Sequence, residues 1–204
     1  MDAARIARIA VFAALIAAMG TTPAFSVSGV SAPITLQSTG VMLAGLMLVP
    51  VEAFQSMALF VGLVAAGLPL LSGGRGGAAL FQTVSAGFLI GFPIAAAVVS
   101  LIAMALRGRP GRSMPVPAAF AVNLAAAALG GVVALYAVAV PVSSWVTGAD
   151  MGSLISAFKV FVPGDLLKAV AAAAVVVAVF RAAPFLRPGA SRTAAPARTD
   201  GVTH

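Results

Sequence analysis

Cysteine is absent from the chain, and its one histidine is the last residue, His204. Disulfides, thiolate metal sites and cysteine nucleophiles are excluded, and no histidine is left for a catalytic dyad or a proton relay. Charge is scarce as well: 8% of the 204 residues are Asp, Glu, Lys or Arg, against roughly 25% in an ordinary soluble domain. No glycine-lysine phosphate loop occurs, so ATP hydrolysis is not supplied by this chain. Acidic groups number five and are spread so thinly that no path of buried carboxylates crosses the sequence. What fills the chain is apolar, with 61% hydrophobic residues and a mean hydropathy of +1.11.

That composition describes a polytopic membrane protein. Spans of about 20 residues each leave room for about six helices and little else, so the expected fold is an all-α integral membrane bundle. Residues 1–186 form the transmembrane domain and 187–204 a disordered basic tail. Helix 1 covers about 5–21; its two leading arginines resemble a signal peptide, but the spans that follow favour a retained first helix. Helix 2 is read at about 36–49, helix 3 at 53–71, helix 4 at 83–106, helix 5 at 116–140 and helix 6 at 163–183, with a short interfacial helix inside 141–159.

A net charge of +7 raises the question of nucleic acid, but the basic residues form no stripe with interleaved aromatics. They read as topology signals instead. With the N-terminus inside, the inner side receives Arg5, Arg8, Arg107, Arg109, Arg112, Arg181, Arg187, Arg192 and Arg198, and the outer side only Arg75 and Lys159, with Lys168 just inside helix 6. Cytoplasmic loops retain positive charge, so both termini are assigned to the cytoplasm.

The few polar residues within spans are informative because lipid offers them no partner. Asp165 and Lys168 open helix 6 just after Pro163. They read either as a capping Asp with a snorkelling Lys, or as an inward-facing pair marking a substrate path. Side by side, a carboxylate accepts and an ammonium donates, which matches a neutral ligand bearing N–H donors and a carbonyl, such as a cyclic urea. Asn123, the only Asn, lies among alanines in helix 5 and is either an interhelical bond or a ligand contact. Thr35 and Gln37 open helix 2, and Gln82, Thr83 and Ser85 open helix 4, as caps or as site residues. Arg75, between glycine pairs, is either a loop residue or the partner of a ligand carboxylate on a moving lid. Phe25 and Trp145 are expected to anchor the outer interface. On helix 1, Ala10, Ala14 and Ala18 recur every four residues, a spacing that lets another helix approach closely.

Four segments together resemble the BioY family: "APITLQSTGVMLAG" (32–45), "GLPLLSGGRGG" (67–77), "SAGFLIGFPIAA" (85–96) and "FVPGDLLKAV" (161–170). The likeness spans about residues 5–185 and implies the biotin-binding substrate component of an energy-coupling-factor transporter in the bacterial cell membrane. It implies that Asp165 and Lys168 hold the ureido ring of biotin, that the loop around Arg75 covers the pocket, and that the alanines of helix 1 meet a transmembrane coupling protein served by ATPase subunits. Biotin is then cargo, and no cofactor is expected. Where the resemblance leads one to expect Gly-Pro-Thr-Gly-Gly-Tyr, this chain reads Thr83 to Phe88, so Phe88 keeps a stacking ring but no hydroxyl. An ion-coupled carrier, a structural subunit and association with further copies of the chain stay open at this level. An intramembrane enzyme lacks its nucleophile, base or metal cluster.

Overall fold

The computed structural model describes residues 2–22, 35–108 and 114–188. Among them the named elements are all helices: α1 (Ala3–Gly20), α2 (Gln37–Met47), α3 (Pro50–Ala65), α4 (Ser85–Arg107), α5 (Val116–Ala128), α6 (Leu135–Thr147), α7 (Met151–Phe158) and α8 (Val162–Ala182). A π-helical stretch, Leu129–Ala134, joins α5 to α6 without a break, and a single 3-10 turn, Lys159–Phe161, joins α7 to α8. Four segments are long and apolar enough to cross a membrane: Ala3–Gly20, Ser85–Arg107, Val116–Thr147 and Met151–Ala182. With the shorter α2 and α3 they make the six-membered bundle expected from the sequence.

The departures have local causes. Helix 2 stops at Met47 because Leu48 turns extended (φ −110°, ψ 160°) ahead of Pro50, which opens α3 at its first turn. The eleven residues of α2 reach only about 16 Å at 1.5 Å per residue, about half the hydrocarbon thickness. The shortfall is tolerated because nine of the eleven are buried in protein, and the freed Leu48 carbonyl accepts a hydrogen bond from Ser100 Oγ at 2.6 Å. Helix 3 ends at Ala65 rather than 71, where Gly67 takes φ +102° and Pro69 follows. Helix 5 runs past Pro141 to Thr147 and closes on Gly148 in the left-handed conformation (φ 71°). Where a short interfacial helix was expected the chain forms α7, whose N-cap Asp150 accepts from the Ser153 N–H at 2.9 Å.

Helix α4 is the central post, packed on α2, α3, α5 and α6. Small residues let it be crossed closely: a Cβ on Gly45 of α2 or on Gly130 of the π stretch would come within 2.5 Å of Val99 side-chain atoms. Trp145 points away from the bundle, 85% exposed, while Phe25, Arg109, Arg112, Arg192 and Arg198 lie outside the described residues.

The bundle has two chemically different ends. At one, Arg8 of α1 forks Glu52 of α3 through Nη2 to Oε1 (2.6 Å) and Nε to Oε2 (2.9 Å), and Arg5 Nη2 donates to Gln55 Oε1 at 2.9 Å. Arg107 closes α4 at the same end. The other end collects the starts of α2, α4 and α8, the end of α1 and the Leu71–Arg75 loop.

Candidate functional site

A pocket opens at the second end. Its floor is an ion pair placed by α8: Pro163 sets the first turn, Asp165 follows within it, and Lys168 stands one turn deeper on the same side. Asp165 is 4% exposed, and the Lys168 side chain is 12% exposed. The lysine therefore does not snorkel out to the interface; it folds inward.

Partners satisfy the pair from two other helices. Lys168 Nζ lies 2.9 Å from Asp165 Oδ1 and donates to Ser38 Oγ at 3.0 Å. Ser38 Oγ, on α2, donates in turn to Asp165 Oδ1 at 2.9 Å. From α6, the Tyr136 hydroxyl donates to Asp165 Oδ2 at 2.5 Å. Two charges buried in low dielectric are tolerated only when such hydrogen bonds accompany them. The inventory still leaves capacity on both: the carboxylate has about four acceptor sites and the ammonium three donors. One acceptor site on Asp165 and one N–H on Lys168 remain for a ligand.

The walls are apolar. Phe88 of α4 sits edge-on to Tyr136, ring centroids 5.8 Å apart, and edge-on to Phe161 at 6.2 Å. Phe92, Leu89, Leu135 and Leu71 complete the lining. Phe88 has no hydroxyl, but Tyr136 brings one to the pocket from the neighbouring helix.

The rim is polar and built on glycine. Arg75 is held by a two-way backbone pairing with Leu71 (2.9 and 3.2 Å), and its Nε donates to the Ser72 carbonyl at 3.1 Å. The turn between them needs the left-handed region, which Gly73 (φ 79°) and Gly74 (φ 69°) provide. Gln37, 2% exposed, directs its amide nitrogen to the carbonyls of Leu70 (3.1 Å) and Ile16 (3.5 Å), tying the loop to α1. Gln37 thus braces the pocket from its wall, while Thr35 and Ser85 border it.

Of the residues singled out in the sequence, Thr35, Gln37, Arg75, Ser85, Phe88, Asp165 and Lys168 meet in this one pocket. Asn123 does not, and its reading as a ligand contact is corrected. It is buried at the opposite end, where its Oδ1 accepts from Arg107 Nη2 (2.7 Å) and Nε (3.3 Å). The amide answers a basic side chain that ends α4, which the interhelical reading anticipated in kind. Ser38, Tyr136, Phe92 and Phe161 were missed. Ser38 is adjacent to Gln37, and Tyr136 is the only tyrosine in the chain, so the rarity that drew attention to Asn123 pointed equally to Tyr136. Along α1, Ile9, Ala13, Ile16 and Gly20 face the bundle, whereas Ala10, Ala14 and Ala18 are exposed on the opposite face.

Known proteins are similar to this chain in sequence and in fold. The model of the BioY family matches residues 1–185. The chain is 39% identical over 174 residues, 85% of its length and 89% of the relative's, to a Bacillus subtilis protein named "Probable biotin transporter BioY". It is 38% identical over 177 residues, 87% and 93% of the two chains, to the biotin transporter BioY of Rhizobium etli. In three dimensions it is similar to the crystal structure of the S-component for biotin from an ECF-type ABC transporter, with a TM-score of 0.75 at 27% identity, covering 89% of this chain and 95% of the other.

Proposed function

The chain belongs to the BioY family, and from that premise we propose that it is the biotin-binding component of an energy-coupling-factor uptake system, with the described pocket as its capture site. The observation that carries the reading is the Ser38–Asp165–Lys168–Tyr136 cluster. The free N–H of Lys168 donates to the ureido carbonyl, and a ureido N–H donates to the acceptor site left on Asp165. Ser38 and Tyr136 hold the carboxylate in place while the ligand exchanges. Phe88, Phe92 and Phe161 bury the thiophane ring and the valerate chain. Arg75 uses its Nε on the Ser72 carbonyl and offers its remaining N–H donors to the valerate carboxylate.

Transport is driven by partners, because the chain has no nucleotide-binding motif. The exposed alanine face of α1, Ala10, Ala14 and Ala18, is the proposed contact with a transmembrane coupling protein, which connects to ATPase subunits. The arginine-rich end, with both termini, lies in the cytoplasm on this reading, and the pocket faces outward. The chain is a membrane transporter component and not an enzyme.

The test is equilibrium binding of labelled biotin to the purified chain beside Asp165→Asn. Saturable binding by the wild type that the variant loses is the expected result. Well-folded wild-type protein that binds no biotin would overturn the reading.

A further inference from the structure

The arginines at the cytoplasmic end are compensated unequally. Arg8 meets Glu52 in a two-pronged ion pair. Arg5 and Arg8 pair with Glu52, and Lys168 with Asp165, whereas no acidic side chain among the described residues pairs with Arg107 or Arg187. Yet Arg107 is set firmly into the bundle. Its guanidinium reaches the buried Asn123 through Nε and Nη2, and it lies over the Phe180 ring of α8 at 5.3 Å from the centroid. Arg187 returns to the same place after the Pro184–Leu186 turn, its Nη2 donating to the Phe180 carbonyl at 3.4 Å.

Two guanidiniums thus converge on Phe180 with a neutral amide and a carbonyl as their oxygen partners. Like charges held together at the edge of a low-dielectric bundle repel unless an anion joins them. The helix ends that carry them also present exposed apolar side chains: Met104 (44%) and Leu106 (48%) on α4, and Phe185 (77%) and Leu186 (44%) beyond α8. A cationic fork bordered by apolar surface fits a phosphodiester that carries acyl chains. A free phosphate would engage the fork and leave the apolar border unused.

We propose that Arg107 and Arg187, framed by Asn123 and Phe180, bind the phosphate of one anionic phospholipid in the leaflet on the arginine-rich side. The planar fork of Arg107 suits phosphate oxygens, and Asn123 fixes that fork's orientation. Arg187, on an exposed hook, closes over the headgroup from the membrane surface. This site lies at the far end of the bundle from the biotin pocket and does not depend on what that pocket binds.

Native mass spectrometry of the delipidated full chain tests it, with phosphatidylglycerol, phosphatidylcholine and inorganic phosphate as probes. Wild-type protein is expected to retain one phosphatidylglycerol in preference to phosphatidylcholine, and millimolar phosphate is expected not to displace it. Arg187→Gln, a change to an exposed side chain, should weaken retention roughly fivefold, one basic residue's share of surface attraction, with an unchanged thermal melt. Adding Arg107→Gln should abolish the preference. If the double variant does not fold, Arg187→Gln decides the matter alone. Equal retention of both lipids, or retention by Arg187→Gln equal to wild type, would overturn the proposal. Displacement by inorganic phosphate would make it a free-anion site. Unchanged lipid retention with lost co-purification of a coupling protein would reassign the patch to a protein contact.

Discussion

Asp165 receives side-chain hydrogen bonds from three residues on three helices, Ser38, Tyr136 and Lys168, so its removal leaves unpaired donors at each. Breaking one member of a buried pair costs about 3–5 kcal/mol, and Asp165→Asn is expected to weaken biotin binding by at least about 100-fold. Equilibrium binding to purified protein measures it, and wild-type affinity in the variant would remove the carboxylate from the ligand's contacts. Tyr136→Phe deletes one bond to a charged group, about 1.5–3 kcal/mol; the expected loss of affinity is roughly tenfold or more, smaller than for Asp165. Arg75→Gln should weaken binding of biotin while leaving binding of biotinamide unchanged, since the amide lacks the charge that the guanidinium answers. Equal losses for both ligands would move Arg75 from ligand partner to lid support. The floor pair was legible in the sequence because two charges in a span of apolar residues demand a reason. Ser38 was not, since a serine bonds backbone or side chain equally well and nothing in its neighbours selects between them. Asn123 misled because scarcity identifies a residue that needs a partner without saying which end of the bundle provides it.

At the scale of elements, the face of α1 that carries Ala10, Ala14 and Ala18 is exposed, while Ile9, Ala13 and Ile16 already serve the core. A bulky substitution there is therefore free of the protein's own packing. Ala14→Leu is expected to leave biotin binding and the thermal melt as in the wild type, and to abolish biotin uptake by cells together with co-purification of the coupling protein. Uptake at the wild-type rate would show that the partner docks elsewhere. Helices 1, 2, 4 and 6 were placed within about two residues from the sequence, the accuracy that boundary definitions themselves permit. Helices 3 and 5 were less legible, and so was the reason helix 2 ends where it does. The end of helix 2 depends on Ser100, fifty-two positions away, accepting the role of partner to the Leu48 carbonyl. Helix 5 continues through Pro141, with α4 packed along its side. Both are tertiary effects that a sliding window along one chain does not contain.

For the whole molecule, the strongest expectation concerns orientation, and the lack of cysteine makes it testable without background labelling. A single Cys at Gly148, beyond α6, is expected to react with a membrane-impermeant maleimide in intact cells. One at Arg187 should react only after permeabilisation. The reverse pattern would invert the bundle and put the pocket on the cytoplasmic side. The bundle's own stability at the arginine-rich end rests on Glu52, 5% exposed between Arg5 and Arg8. Glu52→Gln should lower the melting temperature, because Arg8 loses its forked partner, while affinity for biotin at the far end stays unchanged. Composition was enough to read the solvent and the class, and the sidedness it suggests awaits the labelling pattern above; the distribution of polar groups between two ends emerged only when the helices were set side by side.

The shortness of α2 has a consequence for how the protein is made. A segment of eleven residues falls below the roughly 17–25 that a lone span requires, so the translocon has no reason to release it into lipid by itself. It must be retained beside α1, or enter with α3 as a helical hairpin turned at Leu48–Pro50. That hairpin stays incomplete until α4 emerges and brings Ser100 to the open elbow. Biogenesis of this protein is therefore expected to follow an order in which α2 settles only once α4 has emerged, and a nascent chain halted before α4 is expected to be degraded and not to persist as a partial bundle.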